Sequence, residues 1–252
     1  MRGYILPKKL LLGAASAAAQ IEGGDVRHSW RDWEDMGRRN HESSFAQACD
    51  HWVRWKEDAD IMAAMGLETY RLGIEWARIE PGPGCFDREA IRHYREEITY
   101  IKDRGIIPCL TLLHFTLPDW FEALGGFRDP ANVKYFLRYV GIAVKSFGDL
   151  VSDYVTINEP NVFAYMGYAG QGWPPGEESI KAVFRVLSVM AGCHIRAYQR
   201  IHRMRRRMGL HDTKVGMALH MRAFAPMNSG SAFQKQSVRI SRWYFQDIAA
   251  RA

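Results

Sequence analysis

The chain has 252 residues, 47% hydrophobic and 12% aromatic, with 34 Lys and Arg against 28 Asp and Glu for a net charge of +6. That composition suits a globular protein able to bury a large core in one domain or two; no stretch is apolar for long enough to span a membrane as a helix. Cys49, Cys85, Cys109 and Cys193 show neither CxxC nor Cys/His metal spacing, so neither a disulfide framework nor a metal site is expected, and a reducing, cytoplasmic compartment is.

Near the N-terminus, Lys8-Lys9-Leu10-Leu11-Leu12-Gly13-Ala14-Ala15-Ser16-Ala17-Ala18-Ala19 mimics a secretory leader with its basic start, apolar run and small-residue end. It runs on without a linker into Gln20-Ile21-Glu22-Gly23-Gly24, which favours a first buried strand. A loop-like stretch rich in Trp and charge, Trp30 to Cys49, comes next. From His51 to Met65 the residues Trp52, Trp55, Ala59, Met62 and Met65 recur at spacings of three or four, which predicts a helix. After Gly66, Leu67-Glu68-Thr69-Tyr70-Arg71-Leu72-Gly73-Ile74 reads as a strand.

The alternation then repeats. Helices near Arg88–Arg104, Ala131–Phe147 and Glu178–Met208 stop at Gly105, Gly148 and Gly209, and strands follow at 106–113, 150–157 and 214–219. A last helical stretch begins near Ser231. Glycine just past a helix end takes a left-handed cap that other residues resist. With Gly66, these joints mark helix-to-strand turns of a βα repeat, hence an α/β fold with a parallel sheet covered by helices. Arg196, Arg200, Arg203, Arg205, Arg206 and Arg207 crowd the end of one helix. No nucleic-acid motif accompanies them, so they read as a solvated face with cations at the negative helix end, and no nucleic-acid partner is expected.

Both the doubly wound sheet and the barrel collect function at the C-terminal ends of their strands. Neither a G-x-G-x-x-G after a strand nor a P-loop signature is present, which removes the usual support for a nucleotide-binding sheet. At those ends stand Gln20, Arg71, His114, the pair Asn158-Glu159, and His220. Pro160 cannot continue the ladder and biases Glu159 towards an extended backbone at a strand tip. The set has no Ser or Cys nucleophile with a clear base. It offers a carboxyl group, amides, imidazoles and an arginine, in a pocket expected to be bordered by Trp30, Trp33, Phe115, Trp120 and Trp173. Amides and imidazoles bind hydroxyls, aromatic faces pack against sugar C–H faces, and a carboxylic acid can protonate a glycosidic oxygen. Glycoside hydrolysis normally needs a second carboxylate.

Several long segments resemble the family 1 glycoside hydrolases, the β-glucosidases and their relatives. They are Gly13 through Gly23, Cys49-Asp50-His51-Trp52 through Asp58, Tyr70 through Ile79, Leu112-Leu113-His114-Phe115-Thr116-Leu117-Pro118-Asp119-Trp120 and Thr156-Ile157-Asn158-Glu159-Pro160-Asn161. The resemblance implies a retaining β-glycosidase of carbohydrate metabolism in a (β/α)8 barrel, with Glu159 as general acid/base and Arg71 supporting the nucleophile. It implies that Gln20, His114 and Asn158 bind the hydroxyls of a β-linked glycoside or oligosaccharide, with no cofactor. Phe115 stands where the family usually has Trp, Ala19 where an aromatic residue is common, and His220 where Asn is usual. The family's nucleophile lies in a Thr-Glu-Asn-Gly-like motif on the seventh strand, and no such motif is present. Residues 1–252 are therefore expected to form a single incomplete barrel domain of about five βα units. Such a unit needs the remaining C-terminal part or a second chain for activity; the alternative is an inactive fragment or a sugar-binding remnant.

Overall fold

A computed structural model describes residue 7, residues 9–38 and residues 44–251. Five strands form one sheet in the order β1 (Gly13–Ala15), β2 (Thr69–Gly73), β3 (Ile107–Thr111), β4 (Asp153–Asn158) and β5 (Lys214–Ala218), every pair parallel. Each strand lies beside its sequence neighbour. A doubly wound sheet reverses order at a switch point, whereas a barrel proceeds without reversal. The sheet is thus the first five staves of a (β/α)8 barrel.

The connections follow the same rule. A single helical turn α1 (Ala18–Ile21), then α2 (Ser29–Asp35) and α3 (His51–Ala64), separate β1 from β2. The turn α4 (Trp76–Ile79) and α5 (Arg88–Asp103) lead to β3; α6 (Asp119–Ala123) and α7 (Val133–Phe147) lead to β4. Beyond β4 come α8 (Pro160–Tyr168) and the long α9 (Ile180–Arg207), and beyond β5 come α10 (Ala232–Arg242), a π-helical turn at Trp243–Asp247 and α11 (Ile248–Arg251). Helix α7 shows why the sequence folds this way: Val133, Phe136, Val140, Val144 and Phe147 recur on one stripe and are buried together. Asp87 caps α5 by accepting from Glu89 N and Ala90 N, and Ser179 caps α9 by accepting from Ala182 N.

The sheet is not buried equally on its two faces. Tyr70, Leu72, Leu110 and Tyr154 join the helices in the core, while Arg71, Cys109 and Val155, between them along the strands, are only half-buried and Ile107 is exposed. This contrasts with the two-sided burial usual for parallel sheets: the more open face corresponds to a barrel interior. Among the described residues no helix is long and apolar enough to cross a membrane.

Several expectations need correction. The first strand is short and exposed, with Leu10, Leu11 and Leu12 about half exposed beside it; Lys8 of the expected run lies outside the described residues. Within the expected loop, residues 29–35 form α2, and residues 39–43 lie outside the described ones. Gly66, Gly105 and Gly209 are left-handed as expected, but Gly148 stays in the helical region at φ −64°. The reason at 148 is crowding: a Cβ there would lie 2.4 Å from the Val144 carbonyl oxygen, so glycine serves close approach at that joint.

The arginine cluster is not uniformly a solvated face either. Arg205 is 2% exposed and donates to the carbonyls of Gly148 and Ser152 at 3.0 and 3.5 Å, to Thr213 Oγ1 at 3.0 Å and to Asp212 Oδ1 at 2.9 Å. It ties the α7–β4 and α9–β5 joints together. Replacing Arg205 with Met leaves those acceptors without their donor, and the expected loss is about 2–3 kcal/mol of unfolding free energy, to be read from urea denaturation midpoints.

Candidate active site

The site is built around the C-terminal end of β4. Backbone pairing there runs to both neighbours: Asn158 N donates to Leu113 O at 2.8 Å, and Glu159 N donates to Ala218 O at 2.6 Å. The β4–β5 register shifts between Val155 and Asn158, a local bulge of the kind that re-aims side chains. Glu159 adopts φ 44° and ψ 58°, a left-handed conformation and not the extended one expected before proline. Such a backbone is costly for a residue with a side chain and tends to be retained at functional positions. Pro160, whose fixed φ suits a first helical residue, then starts α8. Asn161, one residue on, is fully buried and donates to the His220 carbonyl at 2.8 Å, tying the start of α8 to the end of β5.

Four of the residues singled out from the sequence meet here. Arg71 Nη1, on β2, donates to Asn158 Oδ1 at 3.1 Å, which spans the intervening strand β3. Asn158 itself is 4% exposed. Glu159 Oε1 is hydrogen-bonded to the ring of His220, whose Nδ1 lies 3.1 Å away. His114 and Gln20 lie slightly apart, on a cavity of about 630 Å³ that they share with Trp30, Trp33, Phe115 and Trp173. Gln20 is on α1 and exposed; His114 follows β3. Trp120, expected to border this pocket, does not. Its indole packs edge-on against Trp76 and donates to the Glu80 carbonyl at 2.9 Å.

The cavity wall is aromatic and mutually braced. Trp173 meets Trp30 and Phe115 edge-on at centroid distances of 5.0 and 4.9 Å, and Phe115 meets His114 likewise at 5.0 Å. Phe115 is also left-handed, at φ 69°. Among the described residues His114 Nδ1 is a buried nitrogen without a hydrogen-bond partner. Burial, and secondly the charge of Arg71, push the His114 pKa down to about 4. A neutral imidazole with a spare nitrogen on a polar-aromatic cavity is equipped to bind a hydroxyl.

Below this shell lies a set of buried carboxylates that sequence reasoning did not assign. Glu75 accepts from Thr116 Oγ1 at 2.7 Å and from Ala77 N at 3.1 Å, so it locks the segment after β2 to the segment carrying His114 and Phe115. Glu22 accepts from Arg78 Nε and Tyr94 Oη, both at 2.7 Å. Burial pushes its pKa up to about 7 against the lowering influence of Arg78 and Tyr94. His51 bridges Glu97 at 2.9 Å and Asp58 at 2.6 Å; burial opposes its charge, but the two carboxylates prevail and raise its pKa to about 9. The sequence signals for Glu75 were its place in the family-like segment Tyr70 through Ile79 and a carboxylate set among the apolar residues Leu72, Ile74, Trp76 and Ile79. Arg222, which touches His220, had none. Among the described residues no group of His, Cys, Asp and Glu has the arrangement of a metal site.

A profile of the family described as Glycosyl hydrolase family 1 matches residues 3–251. Among individual proteins, Beta-glucosidase A of Thermotoga maritima is 29% identical over 95% of this chain and 53% of its own length. Beta-glucosidase A of Acetivibrio thermocellus is 30% identical over 98% of this chain and 57% of its own. The solved β-glucosidase from Thermotoga maritima in complex with glucoimidazole superposes with a TM-score of 0.90 at 29% identity, over 96% of this chain and 55% of that one. The β-glycosidase from Pyrococcus horikoshii gives 0.87 at 31% identity, over 95% and 54%. The chain thus spans about half the length of the relatives it matches.

The histidine in the cavity makes stability pH-dependent with a defined sign. Unfolded, His114 titrates near 6.5, and folded near 4, so protonation favours the unfolded chain. Its contribution costs nothing above pH 6.5 and grows as the pH falls towards 4. His114→Gln is expected to flatten this part of the profile, checked by comparing urea midpoints of the two proteins at neutral and mildly acidic pH.

Proposed function

The chain belongs to glycosyl hydrolase family 1, and from that premise we propose that it forms the acid/base half of a retaining β-glycosidase acting on β-glucoside-like substrates. The observation that carries this reading is the junction at Asn158-Glu159. A carboxyl group on a strained strand tip, hydrogen-bonded to His220, stands next to an amide that Arg71 holds from two strands away.

In the proposed cycle Glu159 delivers a proton to the glycosidic oxygen as the bond to the anomeric carbon breaks, and the leaving alcohol departs neutral. A second carboxylate forms the glycosyl-enzyme on the opposite face; Glu159, now ionised, removes a proton from water, which displaces it with net retention. Asn158, His114 and Gln20 would hold sugar hydroxyls, and the aromatic wall of Trp30, Phe115 and Trp173 would take the apolar faces of the substrate. Arg71 would lie beside the nucleophilic carboxylate and keep it ionised.

That carboxylate would come from the rest of the barrel. Residues 1–252 would then be one incomplete barrel domain, since a closed (β/α)8 barrel has eight strands against the five found among the described residues. The half-open sheet face and the edges at β1 and β5, which have no second strand partner among the described residues, support this reading. The closing units can belong to the same polypeptide or to a second chain.

The 252-residue chain by itself is expected to release no aryl alcohol from an aryl β-glucoside above the uncatalysed rate; turnover at enzyme-like rates would remove the requirement for closure. In a barrel closed by the remaining units of the Thermotoga maritima relative, Glu159→Ala is expected to lower kcat/KM for an alkyl β-glucoside, whose leaving alkoxide needs protonation, by about 10²–10⁴-fold. Azide, a nucleophile that needs no general base, should restore turnover of an activated aryl glycoside. An unchanged kcat/KM in that variant would overturn the assignment of Glu159.

A further inference from the structure

His220 stands just past β5, and its ring touches a different polar group on each side. Its Nδ1 lies 3.1 Å from Glu159 Oε1, and Arg222 Nε lies 3.1 Å from its Nε2. A guanidinium has donors and no acceptor. Nε2 must therefore be the bare, accepting nitrogen, which in a neutral ring leaves the proton on Nδ1. A doubly protonated ring would set N–H against N–H at the Arg222 contact. The His220–Glu159 contact is accordingly a directed hydrogen bond from Nδ1–H to the carboxyl oxygen, and not an ion pair.

The arrangement is supported from behind. Asn161 Nδ2 donates to the His220 carbonyl at 2.8 Å and to the Phe245 carbonyl at 3.1 Å. Arg222 N donates to Oε1 of Gln246, which is 4% exposed, at 2.8 Å. Phe245 meets the His220 ring edge-on at 5.7 Å and lies under the Arg222 guanidinium at 4.7 Å. Phe245 and Gln246 both come from the π-helical turn, an irregularity that is frequent where side chains must be placed for function.

We infer that His220 and Arg222 are positioning residues that reserve Oε1 of Glu159 as an acceptor and leave Oε2 as the oxygen that exchanges the proton. The inference rests on the reading of Glu159 as acid/base. Arg222 fixes the tautomer; the tautomer makes His220 a donor towards Glu159. A carboxylic acid hydroxyl on Oε1 would face the Nδ1–H proton, so the acid form carries its proton on Oε2. The same oxygen then receives the proton from water when the carboxylate acts as base, and His220 keeps its own proton throughout.

The test reads the ring itself in the full 252-residue chain. With 15N-labelled histidine, long-range proton–nitrogen correlation spectra at neutral pH distinguish a protonated from a bare ring nitrogen, and loss of one signal set in His220→Asn assigns the residue. A protonated Nδ1 and a bare Nε2 are expected in the native chain, with Arg222→Met letting a proton onto Nε2 and Arg222→Lys excluding it again. A native ring protonated at Nε2, or at both nitrogens, overturns the inference, as does an Arg222→Met spectrum identical to the native one. The result does not depend on catalysis, so it stands apart from the azide experiment that decides the role of Glu159.

Discussion

Everything at this site depends on how the chain leaves β4. Asn158 and Glu159 are held by consecutive backbone bonds to opposite neighbours, Leu113 on β3's side and Ala218 on β5's. A regular strand would send successive side chains to opposite faces. The register shift after Val155 and the left-handed backbone at Glu159 break that alternation at the point where both side chains meet polar partners. The conformation is expensive for a glutamate, and three things oblige it: a ladder bond on its own N–H, a proline that must begin α8, and a buried Asn161 anchoring the next residue to β5.

The strain at the strand tip is set against a stiff foundation. Glu75, Glu22 and Glu97 are each under 5% exposed, and each is matched by a donor from another segment: Thr116, Arg78 with Tyr94, and His51. Buried charges add little stability on balance, but removing one partner leaves the other uncompensated, which makes the arrangement specific. Through Glu75 in particular, the chain after β2 is fixed to the chain after β3, so His114 and Phe115 cannot shift relative to Arg71 without breaking a buried hydrogen bond.

The two faces of the sheet follow from the same geometry. Alternate residues of β2, β3 and β4 point into a core sealed by the helices, while their neighbours along each strand face the more open side. Of the strand residues on that open side, Arg71 reaches across to the candidate site, and its register partner on β3 is the half-buried Cys109. In a closed barrel such residues fill the interior in layers. Here the five strands build the floor of one half of that space, with the polar groups gathered at its rim.

Much of this was legible in the chain itself. Helical stripes such as Val133 to Phe147, the glycine stops and the apolar runs between them specified a βα repeat, because a 3.6-residue period and a helix cap are local properties of neighbouring residues. The segments around Gln20, Arg71, His114 and Asn158-Glu159 stood out as candidate site residues because each is a short polar motif within or just after a strand; the structure joins Arg71 to Asn158 and places Gln20 and His114 on the neighbouring cavity. Only the tertiary structure decided that Trp120 packs half-buried against the core, that Arg205 is buried, that Glu159 is left-handed, and that Arg222 reaches His220. Those outcomes depend on which groups meet across 40 residues or more, or at the end of a strand, where neither period nor propensity acts. The sequence carries the alternation and the motifs; the packing decides orientation, strain and hydrogen-bond direction.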